Sequence, residues 1–199
     1  MDSDKVLEAQ FAQIGQNIVN ILGNVPHSHK WSGVERRSEP SGYVNKLLEQ
    51  IKEFEYKLQR LCSTHHLPQI QIVTEQLWWL WDMIACDLIE QYSLVAEVDA
   101  TGRQNMISDV EYLVKLCHNI FRSCQSGEAS KPAEKTKKKQ EPLNVPPTML
   151  ALREYLQAYF YDLGKLLHFS KKCIQATVTY EQLKRLYRAH PSLQPDSKP

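Results

Sequence analysis

Glycine is scarce in this 199-residue chain, with seven in all, and none is clustered as a phosphate-cradling loop requires. Neither a Walker nor a dinucleotide pattern can be assembled from isolated glycines. No Gly-x-Ser-x-Gly elbow and no Cys-Gly signature presents a nucleophile. A Glu-x-x-His pair, which would build a di-iron site inside a helical bundle, is also missing. His118 and His168 fall within helical patterns with no oriented partner to make either a base. Catalysis therefore has no positive support, and no cofactor or small-molecule substrate is expected.

Long apolar runs are absent too. Leu77–Trp81 is the most apolar short stretch, and Asp82 ends it, whereas a membrane span needs about 20 apolar residues. Charge of one sign is not in excess: 24 basic residues face 23 acidic ones, for a net charge of +1. A chain built globally for nucleic acid or an acidic membrane would be more basic. The opening MDSDKVLEAQ is acidic and amphipathic, unlike a secretory signal or an Arg-rich transit peptide. No Asn-x-Ser/Thr acceptor occurs. The five cysteines are odd in number and mostly occupy apolar positions of helical patterns, which reads as free, buried, reduced thiols. The expectation is an intracellular protein, cytoplasmic or nuclear, neither secreted nor membrane-spanning.

What the sequence has is helical periodicity. From Leu77 to Val98, residues Leu77, Trp78, Leu80, Trp81, Ile84, Leu88, Tyr92 and Val95 share one wide arc at roughly 100° per residue. Trp79, Met83, Cys86 and Leu94 fall on the other side, among Asp82, Asp87, Glu90 and Glu97. A surface helix needs only one apolar stripe. This stretch, extending from about Gln69, should be a central helix touched on several sides.

The other segments are simpler. Leu7, Phe11, Ile14, Ile18 and Ile21 form a heptad stripe over Ser3 to Leu22, with Gly23 and Pro26 as the stop. Asn24 to Pro40 has no periodicity and reads as a long loop containing Trp31. Val44, Leu47, Ile51, Phe54, Leu58 and Leu61 mark the next helix, and Met106, Val110, Leu113, Cys117, Ile120 and Cys124 the one after the central helix. A further helix starts near Thr148 and runs through Leu152, Leu156, Tyr159, Leu163 and Leu166. Thr179-Tyr-Glu-Gln182 is a capping box that opens a short last helix, and His190-Pro191 ends it.

These readings predict an all-α fold: an elongated antiparallel helical bundle of about five long helices plus a short C-terminal helix, with coiled-coil-like stripes. Residues 1–127 should form an N-terminal bundle, 128–147 a disordered basic linker, 148–190 C-terminal helices packed on that bundle, and 191–199 a flexible tail. The linker carries Lys135, Lys137, Lys138 and Lys139, a run suited to nuclear import, nucleic acid or anionic lipid, or simply to a solvated segment. It lacks the interleaved aromatics of a single-strand binding surface. Cys62-x-x-His65-His66 and His27-x-His29 have loose ligand spacing but not the paired pattern of structural zinc, so no metal site is expected.

The function that fits is a non-catalytic adaptor or scaffold subunit of a multiprotein complex, bound to other protein subunits through helix faces. Two readings compete with it. One is a regulator touching nucleic acid or anionic membrane through the lysine run, and the other an enzyme or ligand carrier with a pocket between helices. Candidate partner-binding residues are Trp79 and Met83, framed by acids on the far side of the central helix, together with Trp31, Tyr161 and Phe169, large aromatics off the stripes.

Truncation on the apolar arc tests the central role of this helix. Ile84→Ala and Leu88→Ala should each cost about 2–5 kcal/mol of stability in denaturant melts. A loss below about 1 kcal/mol at both positions would mean that this arc faces solvent.

Overall fold

The computed structural model describes residues 3–28, 30–95, 97–125, 144–173, 178–190 and 193. Its elements are α1 (Ser3–Gly23), α2 (Val25–Ser28), α3 (Gly42–Thr64), α4 (Gln69–Ser93), α5 (Ala100–Gln125), α6 (Pro147–Gln157), a 3₁₀ turn (Ala158–Phe160), α7 (Leu163–Cys173) and α8 (Tyr180–Ala189). No strand occurs among the described residues. The fold is an all-helical bundle, as the stripes predict. None of the described helices is long and apolar enough to cross a membrane.

α4 is the element the others gather around. It packs against α1, α2, α3, α5, α6 and α8. Leu77, Leu80, Trp81, Ile84, Leu88 and Tyr92 of the predicted arc are buried, and so are Ala85 and Ile89 beside it. Trp78 is half-buried, its ring 5.2 Å from that of Phe121 on α5. Two of the four acids on α4 are spent on neighbouring helices. Asp82 Oδ1 accepts from Thr148 Oγ1 of α6 at 2.7 Å, and Glu90 accepts from Gln182 and Arg185 of α8 at 2.8 and 2.7 Å.

The stretch between α2 and α3 lacks regular structure, yet it is strapped along α5. Asp99 caps that helix: Oδ1 accepts the Gly102 N–H and Oδ2 the Gly33 N–H, both at 2.7 Å. These two bonds hold its carboxyl below the usual range. Nearly two turns on, Asn105 accepts from the Arg37 N–H and donates to the Glu35 carbonyl, both at 3.0 Å. Another turn on, the buried Asp109 accepts from Ser41 through both N–H and hydroxyl. Arg37 lies 3.8 Å from the same carboxylate. Beneath, the hydroxyls of Tyr43 and Tyr92 meet, and burial together with these neighbours pushes the Tyr43 hydroxyl pKa up. Loop backbone groups that water would otherwise have to satisfy are thus met by one polar row on α5.

Two sequence expectations need correction. The helix starting near Thr148 is not continuous to Leu166. It tightens into the 3₁₀ turn, Tyr161 turns extended at φ −74° and ψ 147°, and a new helix begins. Asp162 is the cause: its side chain accepts the Lys165 N–H at 2.8 Å, so it caps α7 and competes with continuation of α6. Second, the segment assigned to the linker is docked at its C-terminal end. The Asn144 N–H donates to His118 Nδ1 at 3.0 Å, and Val145 is buried. The lysine run itself lies outside the described residues. At the other end of the chain the capping box is present, with Thr179 and Gln182 exchanging backbone-to-side-chain bonds.

Gly102 is where the strap is least tolerant. A Cβ there would lie 1.6 Å from the Trp31 carbonyl oxygen and 2.5 Å from its carbonyl carbon. Backbone cannot rotate away as a side chain can, so Gly102→Ala should cost at least about 3 kcal/mol. Gly42→Ala, where nothing lies within 4 Å, is the control and should change little. Equal midpoints for the two variants in urea would show that the strap yields.

Candidate functional site

The least covered part of α4 borders a cleft of about 530 Å³ between α1, α3 and α4. Phe11, Ile14, Ile18 and Val19 enter from α1, Phe54, Leu58 and Leu61 from α3, and Ile72, Trp79, Leu80 and Met83 from α4. Gln76 is the one polar side chain in the lining, and no titratable group lines it. Phe11 and Phe54 meet edge to face at 5.3 Å and tie α1 to α3. Beside them Asn17 donates to Gln50 at 2.9 Å and Lys57 to Gln10 at 3.2 Å, which sets the spacing of the two helices.

Trp79 forms one wall of this cleft and is 60% exposed. Met83, one turn along, is partly buried against the core. Tyr56, Ile70 and Tyr180 are equally exposed, but none belongs to the lining. Scattered exposed apolar residues are ordinary, whereas a concave cluster is not. With no acid, base or nucleophile at hand, the cleft offers only apolar contact and shape. Covering it would release the water over Trp79, Val19 and Phe54, worth about 25 cal/mol per Å².

The other sequence candidates fare differently. Trp31 is buried, not a surface anchor. Its indole N–H donates to the Val25 carbonyl at 3.3 Å, its ring meets Tyr92 at 6.0 Å, and its carbonyl accepts the Asp99 N–H at 3.2 Å. Phe169 is also buried, because the bend at Asp162 swings α7 so that this position faces inward, with Tyr161 edge-on at 6.2 Å. Tyr161 is half-buried. The acids expected to frame Trp79 do not, since Asp82 and Glu90 are engaged by α6 and α8.

Cys62 is buried at the end of α3, whose chain closes with the Leu67 N–H on the Cys62 carbonyl at 2.9 Å and His66 at φ 53°. This pattern is a Schellman cap, so Cys62, His65 and His66 form a helix end. Cys86 is exposed rather than buried, and its partial burial and then Asp82 and Asp87 push its thiol pKa up.

Sequence reasoning missed Val19, which lies off the α1 stripe, and the polar row of α5. A signal for Arg103, which shares that helix, was available. Arg103 stands seven residues before Val110 and three before Met106, a charge in register with an apolar stripe. It lines a second, polar cavity of about 360 Å³ with Tyr92, Tyr155, Tyr159, Arg185 and Arg188.

A family model described as "Syndetin, C-terminal" matches residues 5–198, nearly the whole chain. The chain belongs to the syndetin C-terminal family, a family of complex subunits. No curated protein and no solved structure matches it.

Gly15 sits in the cleft within α1, and a Cβ there would meet nothing within 4 Å. Gly15→Ala should therefore stabilise the protein by about 0.5–1 kcal/mol through helix propensity alone. A drop in the denaturation midpoint would mean that α1 sits closer to α4 than this cleft allows.

Proposed function

We propose that this member of the syndetin C-terminal family is a non-catalytic adaptor within an intracellular multiprotein tethering complex, and that it seats an amphipathic helix of a partner subunit in the α1–α3–α4 cleft. The observation that carries the reading is Trp79. A large indole stands 60% exposed in a concave lining whose one other polar side chain is Gln76. Interfaces concentrate their energy on such aromatic anchors. A helix presenting apolar residues at i, i+3, i+4 and i+7 is the element whose shape matches a cleft between parallel rods. Membership in a family of complex subunits supplies the class of occupant. The reading uses no reactive group, in keeping with a lining that has none.

Two variants test it from opposite directions. Trp79→Ala removes the anchor from an exposed position and should lower stability by under about 1 kcal/mol. Gly15→Leu fills the cleft from within a helix that tolerates leucine well. Both should abolish co-purification of the partner subunits from cells while the melting transition stays cooperative. Undiminished recovery of every partner by both variants would overturn the assignment.

A further inference from the structure

A charge in a protein interior needs a counter-charge or a full set of hydrogen bonds, because it has lost its water. Arg103 has neither. It is 3% exposed, its Nε has no hydrogen-bond partner, and among the described residues no carboxylate forms an ion pair with it. Its guanidinium lies over the Tyr159 ring at 4.6 Å, which orients the group without neutralising it. Burial pulls its pKa down.

The cavity that Arg103 lines lies where the end of α4, the first turn of α5, the α6–3₁₀ junction and α8 come together. Arg185 at its side is already neutralised, 2.7 Å from Glu90 and donating to Ser93 Oγ at 2.8 Å. Arg188, on the last turn of α8, is exposed and has no counter-ion among the described residues. Tyr155 points its hydroxyl away to the Gln182 carbonyl at 3.3 Å. No aspartate or glutamate lines the space. Two uncompensated guanidinium groups, one buried and one exposed, therefore line one half-open cavity. The exposed Leu94 and the half-buried Val95 and Val98 form an apolar part of the same lining.

We propose that this cavity is an anion site in which Arg103 and Arg188 clamp the carboxylate of an acidic side chain in a peptide segment. The apolar shoulder decides for a peptide over a free phosphate. Leu94 and the two valines give the hydrocarbon on either side of an acidic residue somewhere to pack, whereas a phosphate ion gains nothing from them. Arginine forks suit a carboxylate geometrically. The site lies roughly 20 Å from the Trp79 cleft along α4, about thirteen residues at 1.5 Å each, and stands independently of that cleft's occupant.

The test follows the arginine Nε–H signals of the ¹⁵N-labelled full chain in NMR. The probes are a capped Leu-Glu-Leu peptide, its Leu-Gln-Leu counterpart, and inorganic phosphate. The Arg103 signal should shift saturably with Leu-Glu-Leu and stay still with Leu-Gln-Leu. Arg188→Gln, an exposed change that leaves the fold alone, should weaken that binding about tenfold, the loss of one charged contact. Arg103→Met preserves the volume and removes an unpaired charge, so it should fold and show no rise in melting midpoint with the peptide, where the parent does. Trp79→Ala should titrate like the parent, so this site and the cleft can fail separately. Saturation by phosphate with no response to Leu-Glu-Leu would overturn the peptide assignment. No saturable shift with any probe, or equal shifts at every exposed arginine, would overturn the site.

Discussion

Everything in this molecule answers to one constraint: beyond its first two turns, which expose Gln69, Gln71, Glu75 and Gln76, α4 has no wide polar face to show to water. Its apolar side chains run around most of its circumference, so it can be stable only when enclosed. Six helices do the enclosing. The acids that interrupt its surface do not reopen it to solvent, because Asp82 and Glu90 are taken up by Thr148, Gln182 and Arg185. A helix designed to be covered leaves a visible fault wherever the cover stops. Here it stops at Ile70 and at Trp79, and of the two Trp79 borders the cleft.

The second organising element is polar and lies on α5. Asp99, Asn105 and Asp109 follow one another up the helix and receive the irregular stretch between α2 and α3 at successive points. Hydrophobic contact alone could not place that stretch, since Trp31 is its one buried aromatic. Hydrogen bonds have direction, so a buried row of them specifies position where packing would leave a choice. Gly102 completes the arrangement by letting the Trp31 carbonyl lie against the helix. The buried Asp109 of α5 is thus matched within the molecule, and Arg103 stands out as the buried charge on that helix that is not.

The two cavities along α4 divide recognition by chemistry. One is hydrocarbon and binds by displacing water, with little directional demand. The other is small, basic and partly sealed, and it would choose a ligand by charge and shape. Complex subunits commonly combine such contacts, an apolar anchor for affinity and a charged pair for register. Neither cavity gathers the groups that bond-making chemistry requires, in keeping with a family of subunits.

The sequence by itself determined the helices and their inward faces, because burial imposes a period on side chains that can be read without coordinates. It also marked the capping box at Thr179, a signal wholly local to four residues, and it placed Trp79 and Met83 off the main arc of α4. Tertiary structure decided the rest. Whether an off-arc residue meets solvent depends on which neighbour arrives there: α1 and α3 leave Trp79 open, while the strap buries Trp31 and the bend at Asp162 turns Phe169 inward. That bend was a contest between one capping side chain and an unbroken heptad pattern, which periodicity does not weigh. The polar row of α5 and the lone charge of Arg103 were legible as residue types but not as a site. Their meaning lies in which groups come to face them, and those groups come from parts of the chain tens of residues away, where only the fold brings them together.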